Sequence, residues 1–406
     1  MPVAGLRGTG SWGTDERPKD FRETVLKWNP NGSAPILALS SKSKKRTVTD
    51  PEFSWWGEGN DIVRLQINGA LGAGDTTVTV DSADPVDGAF DRVYGKATHL
   101  KNGDLLLVEP AADNATFNHE IIEVVTVISD TQFTVRRGVG GTTAASISND
   151  VFLTLIGSAY AEGTGVPPPA ARNPIKQKNY TQIFKDTYEI TGTADVTKAR
   201  TGPAYAQDKK RKAWDHAAKI EWSMLFGRPY ETTGSNGQPK RFMGGLRNYV
   251  ANVTVFGSAV TKASWFAAIA PVFNFETGAG DTRMIFGGND ALMALQTVFD
   301  SAFTRQIGAT SKVYGMDLTE FIMPQGRVLF KTHPLMSRHG LYKKSAFVVD
   351  FDALHYVTLP GRDTKPYDDV QAKDEDVRRG FYQTECSIEV DYGGLTMAYL
   401  GNISAT

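Results

Sequence analysis

"AYAQDKKRKAWDHAAKIEWSMLFG", residues 204–227, is one uninterrupted helical pattern, with no Pro or Gly between Ala204 and Phe226. Its first half is charged on nearly every face. Asp208–Lys212, Arg211–Asp215 and Asp215–Lys219 are spaced i,i+4, a spacing that supports an exposed helix by roughly 0.2–0.5 kcal/mol per pair. Its second half is apolar nearly all round, with Trp214, Ala218, Trp222, Leu225 and Phe226 thickening the apolar surface. The pattern predicts a long helix with one end lying across a surface and the other sunk in a core.

Around this helix the chain changes character several times. Residues 1–19 are rich in Gly, Arg and Pro and read as a flexible arm. "DFRETVLKW" (20–28) is a short amphipathic pattern with Asp20 as N-cap and Phe21, Val25 and Trp28 on one face. "APILALSSKSKKR" (34–46) restarts a helix that ends in a basic run, and "DPEFSWWGEGND" (50–61) turns the chain into an extended segment. From residue 62 to 165 short β runs follow one another between turn residues, the spacing of a small barrel or sandwich. Residues 60–165 hold 14 Asp/Glu against 6 Arg/Lys, whereas 166–228 hold 12 Arg/Lys against 6 Asp/Glu, so the β-module and its stem carry opposite charge. A Pro-rich connector, "GTGVPPPAARNP", leads to the alternating strand "NYTQIFKDTYEITG" and then to the long helix.

After the helix, "TKASWFAAIAPVFNF" (261–275) reads as a helix interrupted near Pro271. "TRMIFGG" (282–288) reads as a buried strand. "NDALMALQTVFDSAFTRQIG" (289–308) reads as an amphipathic helix capped by Asn289 or Asp290 and closed by Gly308. Strands dominate the remainder. The fold class is α+β, without a βαβ series.

Bulk properties narrow the function. A formal net charge of −1 argues against a nucleic-acid binder acting through overall charge. The single cysteine, Cys386, excludes an intramolecular disulfide framework and fits folding in a reducing cytoplasm. No apolar h-region and no membrane-length apolar run are evident, so neither a signal peptide nor a membrane partner is expected.

Chemical motifs are weak. "GTGSWG" (8–13) matches a glycine fingerprint but lacks the strand before it and the helix after it. "HEIIE" (119–123) lacks the second His of a zinc helix, and Asp81, Asp84 and Asp87 lack the spacing of a calcium loop. His333 and His339 have no carboxylate at a useful spacing, and no G-x-S-x-G elbow occurs. No catalytic residue, metal or cofactor is therefore assigned, and an enzyme is not expected; a hydrolase ranks third among the function classes.

An arm, a long two-strand excursion carrying a β-module, a basic stem and a long helix make a non-compact chain. Ordering such extensions is costly unless something covers them. Trp28, Phe53, Trp55, Trp56, Tyr180, Ile183 and Phe184 are the apolar residues on them, and they are the candidate inter-subunit contacts. Arms that reach a neighbour make heterologous contacts, and these close into rings when the rotation permits.

The segments "RPKDFRETVLKWNPNGSAPILAL", "DPEFSWWGE", "NYTQIFKDTYEITGTAD", residues 204–226 and "RMIFGGNDALMAL" together resemble, in order, a family of major head proteins of tailed bacteriophages with the Hong Kong 97-type capsid fold. The resemblance implies an N-terminal arm (1–50) and an extended loop (51–66 and 172–196) carrying an inserted small all-β domain (67–165). It also implies a peripheral domain with the long spine helix (197–244 and 371–406) and an axial domain (245–370). The implied function is a shell of hexamers and pentamers around double-stranded DNA, located in the virion and assembled in the host cytoplasm. The implied partners are copies of the chain, a portal and a separate scaffolding protein, a decoration protein, and DNA held non-specifically on the inner face. A tail-tube or adhesin component is the alternative.

Overall fold

The structure, a computed structural model, describes residues 37–58, 64–81, 96–109, 119–166, 174–198, 202–300, 311–313, 316–323 and 325–405. The pattern expected at 20–28, with Trp28, lies outside these residues, as do Asp84, Asp87 and Gly308.

The long helix spans Ala204–Phe226, with Pro203 at its N-cap and Gly227 at its C-cap. At about 1.5 Å per residue it is roughly 34 Å long. It lies across a five-stranded sheet in the order Lys44–Thr47, Leu354–Thr358, Val377–Val390, Gln182–Thr191, with Lys365–Tyr367 also paired to Val377–Val390. Ile220, Met224 and Leu225 are buried, as the apolar half predicts. Trp222 is only half-buried, because it points away from the sheet toward Tyr342 and His339. The charge pairs form at i,i+3, as Asp208–Arg211 and Lys212–Asp215, and Lys219 instead reaches across to Asp186 on the sheet.

The helix expected over 34–46 is only Ala38–Lys42, and the basic run continues as the strand Lys44–Thr47. Ser41 and Ser43 donate their hydroxyls to the carbonyls of Ala38 and Leu39, the local bonding by which serine competes with helix propagation. The parallel partner Leu354–Thr358 then captures the strand.

A second, seven-stranded mixed sheet runs in the order Asn252–Val255, Ala398–Gly401, Ala346–Val349, Thr282–Gly287, Gly326–Thr332, Met316–Met323, Ser311–Val313. Thr282–Gly287 and Gly326–Thr332 are parallel, with the helix Asn289–Asp300 between them in the chain, a single local crossover that does not extend into a βαβ series among the described residues. Pro271 ends the helix Lys262–Ile269, which passes into a 3₁₀ turn over Ala270–Phe273. The two sheets share strands differently from a simple cut at residue 370. Leu354–Thr358 sits in the five-stranded sheet, while Ala398–Gly401 sits in the seven-stranded one.

The excursion from this body is a two-stranded ribbon, Glu52–Gly57 against Ile175–Tyr180. It leads to six strands in the order Arg64–Gln66, Phe152–Ser158, Asp104–Val108, Ile121–Val127, Gln132–Val139, Thr77–Thr79. The Ile67–Val80 bridge, with Asn68 N–H on the Thr79 carbonyl (2.9 Å) and Asp81 N–H on the Gln66 carbonyl (2.9 Å), joins the first strand to the last. The module is therefore a closed barrel. Its interior, including Leu65, Ile67, Val78, Leu106, Ile122, Phe133 and Leu153, forms a core separate from the rest of the chain. Glu120, from the "HEIIE" motif, is a structural residue of this barrel. It accepts a two-point contact from one edge of the Arg137 guanidinium, Nε and Nη2 (2.6 and 2.7 Å), and bonds from the N–H groups of Gly138 and Ala145.

Candidate assembly surfaces

Strand alternation sorts the candidate contacts. Phe53 and Trp55 share the inner face of the ribbon and are buried in the chain's own core. Trp55 stacks near Phe53 (5.9 Å) and Tyr249 (5.6 Å) and donates its indole N–H to the Val390 carbonyl at 2.9 Å. Phe184 is buried with them, and Tyr180 is also buried at the end of the ribbon. These four side chains thus have partners within their own subunit. Trp56, on the opposite face, is 63% exposed with the Lys176 ammonium 5.8 Å from its ring, and Ile183 is 51% exposed. Of the described candidates, these two remain on the surface.

The sequence reading missed a surface feature at the end of the long helix. Trp222, Phe226, His339 and Tyr342 line an open cleft of about 470 Å³. Tyr342 stacks on Phe226 at 4.2 Å, and the His339 Nδ1 accepts the N–H groups of Leu341 (3.1 Å) and Tyr342 (3.2 Å). The i,i+4 aromatic pair in "WSMLF" was the available signal.

Buried polar groups fasten the elements that carry these surfaces. Asn179 is fully buried and makes four bonds, to the carbonyls of Gly244 (3.1 Å) and Ile388 (2.7 Å) and from the N–H groups of Tyr180 (2.8 Å) and Gly244 (2.7 Å). Glu221, on the long helix, accepts the Leu39 N–H (3.1 Å) and meets His333 Nε2 (3.1 Å). One carboxylate thereby joins the 38–42 helix, the long helix and His333, the N-cap of the Pro334–Arg338 helix that follows the strand Gly326–Thr332. His333 and His339 do not converge, since His333 faces Glu221 and His339 faces the aromatic cleft.

His216 bridges Asp186 (2.8 Å) and the Thr384 hydroxyl (2.8 Å), a hydroxyl–imidazole–carboxylate chain like that of a nucleophilic triad. Thr384 is completely buried, so no substrate reaches it, and the chain serves to hold helix to sheet. The Cys386 thiol is also fully buried, and desolvation pushes its pKa up to about 12, which makes it a poor nucleophile.

The carboxylates in these fasteners set an acid limit. Burial pushes Asp186 upward, but Lys219 and His216 outweigh it and hold the group below its ordinary value. Lys44 does the same for Asp352, and Lys209 with Tyr188 for Asp368. A depressed carboxylate adds stability above its unfolded pKa of about 3.9, and that contribution is lost as pH falls through the folded value. His355 runs the other way. Asp391 raises its pKa, so its contribution is present below about 6.5 and lost as pH rises through the folded value. Thermal melts of the subunit are expected to fall steeply below about pH 4. A melting temperature unchanged down to pH 3 would contradict this account.

The family model described as "SU10 major capsid protein" matches residues 6–401. A major capsid protein of Pseudomonas phage PaMx41 is 27% identical over 359 residues, covering 86% of this chain and 80% of that protein. Among solved structures, the capsid of a native GTA particle has a TM-score of 0.47 at 9% identity, covering 98% of this chain and 100% of that one. The capsid of Myoviridae phage XM1 has a TM-score of 0.44 at 9% identity, covering 99% and 100%. No described helix is long and apolar enough to cross a membrane.

Proposed function

The chain belongs to the SU10 major capsid protein family, a family of structural proteins and not an enzyme class, and on that premise we propose that its copies close as hexamers and pentamers into an icosahedral shell around phage double-stranded DNA. The observation that carries the proposal is the family match over residues 6–401 of the 406-residue chain. The Hong Kong 97-type parts are present beside it: a two-stranded ribbon, a long helix laid on one sheet, and a second mixed sheet. Thousands of Å² of apolar contact per subunit, at about 25 cal/mol per Å², would outweigh the ordering costs of the extensions.

In this reading residues 1–50 act as the arm, its last part, Ala38–Thr47, docked on the subunit's own five-stranded sheet, the ribbon and barrel act as the loop, and the two sheets act as the bodies at the periphery and around the axis. Trp56 and Ile183 contact a neighbouring subunit. A portal and a scaffolding protein take part during assembly in the host cytoplasm. Packaged DNA touches the inner face through salt-dependent contacts with basic groups such as Lys210 and Arg211, both exposed on the long helix. The acidic barrel sits on the outer surface, away from DNA that would repel it, where it meets a neighbouring barrel or a decoration protein.

Two experiments test this. Negative-stain microscopy of the purified or co-expressed protein should show closed shells; tubes would favour the tail-tube reading, and only monomers would end both. Because the barrel has its own core, replacing residues 67–151 by a two-residue Asn-Gly turn should leave the melting of the remaining subunit within about 1 kcal/mol while the assembled shell weakens. Loss of subunit folding on removal would show that the barrel is not an independent unit.

A further inference from the structure

The aromatic cleft at the end of the long helix offers a preformed apolar surface. Trp222, Phe226 and Tyr342 are each only half-buried, His339 is exposed, and Leu341 beside them is 69% exposed. At about 470 Å³ the cleft falls in the range of pockets that take a compact apolar group, about 300–1,000 Å³. Its rings hold one another in place. Trp222 lies 5.5 Å from the Phe226 centroid and 5.8 Å from that of Tyr342, and Phe226 and Tyr342 stack.

Where the described chain begins decides what can reach this cleft. Leu37 packs on the same core cluster as Phe226 and Tyr342. Two residues on, Leu39 donates its N–H to Glu221, the residue before Trp222. Glu221 and Phe226 are about 7.5 Å apart along the helix axis, so the chain enters the body beside the cleft. Upstream, the eight residues Asn29 to Ile36 separate Leu37 from Trp28. Fully extended, they let Trp28 stand at most about 30 Å from Leu37. Trp28 closes the pattern Phe21, Val25, Trp28, spaced i, i+4, i+7, the anchor spacing of a helix that lies in a groove.

We infer that residues 20–28 dock as a helix in the cleft of their own chain, with Phe21, Val25 and Trp28 turned onto Trp222, Phe226 and Tyr342. The tether favours the chain's own cleft over a neighbour's. The own cleft is always within reach, and a linker this short holds the segment at an effective concentration on the order of mM. Phe53, Trp55, Tyr180 and Phe184 follow the same rule, since each of these candidate contacts is partnered within its own subunit. This docking is a property of the single subunit and stands apart from the shell reading. Where copies assemble, residues 1–19 are the part of the arm left to reach a neighbour.

Two experiments on the full-length chain as a dissociated subunit test this. Cys386 is the single cysteine and is fully buried, so introduced thiols react alone. Asn29→Cys places a thiol beside Trp28 but outside the proposed contact face, and Leu341→Cys places one at the exposed lip of the cleft. A short bismaleimide is expected to join the two within one chain, giving a linked peptide pair in a product of monomer mass. Linkage only in a product of dimer mass, or no linkage, would overturn the inference. Independently, Trp28→Ala is expected to lower the melting temperature of the wild-type subunit by several degrees, and by less than half as much when Trp222 is already Ala. No drop in the wild-type background, or a drop of half or more in the Trp222→Ala background, would overturn it as well. Should Trp222→Ala fail to fold, the crosslink, which leaves every ring in place, decides alone.

Discussion

Trp55→Ala is expected to destabilise the isolated subunit by about 3–5 kcal/mol, while Trp56→Ala, one residue on, changes it by less than about 0.5 kcal/mol. The two residues are adjacent in sequence and face opposite ways. Trp55 is 7% exposed, packs between Phe53 and Tyr249, and holds the Val390 carbonyl. Its removal leaves a cavity and an unpaired acceptor where the ribbon joins the body. Trp56 is 63% exposed and has no such packing among the described residues, so its loss should appear in the yield or salt resistance of shells. Chemical denaturation of the two variants as subunits, followed by microscopy of particles, checks both halves. Equal destabilisation would mean that the ribbon does not separate a core face from a contact face.

Arg283→Ala is the second large effect, again about 3–5 kcal/mol. Arg283 is 1% exposed within the seven-stranded sheet, 3.6 Å from the fully buried Asp350. It donates to the Gly280 carbonyl at 2.7 Å and lies 5.4 Å from the Phe273 ring centroid. Burial lowers its pKa, and Asp350 opposes that shift. Removing the guanidinium strands a carboxylate in the interior, which costs more than the pair itself contributes. The double variant Arg283→Met with Asp350→Leu should recover most of the loss in thermal melts. If it melts no higher than Arg283→Ala, uncompensated charge is not the cause.

Much of this was legible in the sequence because it depends on local pattern. The unbroken helical stretch 204–226, the Pro271 break and the strand "TRMIFG" are each set by periodicity or by one residue's stereochemistry. The barrel was legible as short runs between turns, and its sign of charge was countable. What was hidden depends on partners distant in sequence. The basic run after Lys42 looks helical until Leu354–Thr358 claims it as a strand. Phe53, Trp55, Tyr180 and Phe184 looked unpartnered because Val390, Tyr249 and Met224 come from far along the chain. Glu221 sits in an apolar half-helix with no local reason to be there. Its reason is Leu39 and His333, 182 and 112 residues away.

The central claim is that this chain is the repeating unit of a closed shell, with its body forming the wall and its barrel outside. A cryo-electron microscopy reconstruction of assembled particles tests it most directly. The account predicts icosahedral particles of hexamers and pentamers, with the six-stranded barrel of residues 64–158 projecting from the outer surface and Trp56 and Ile183 buried against a neighbouring subunit. Open tubes, or a shell whose barrel density lies on the inner face, would contradict it.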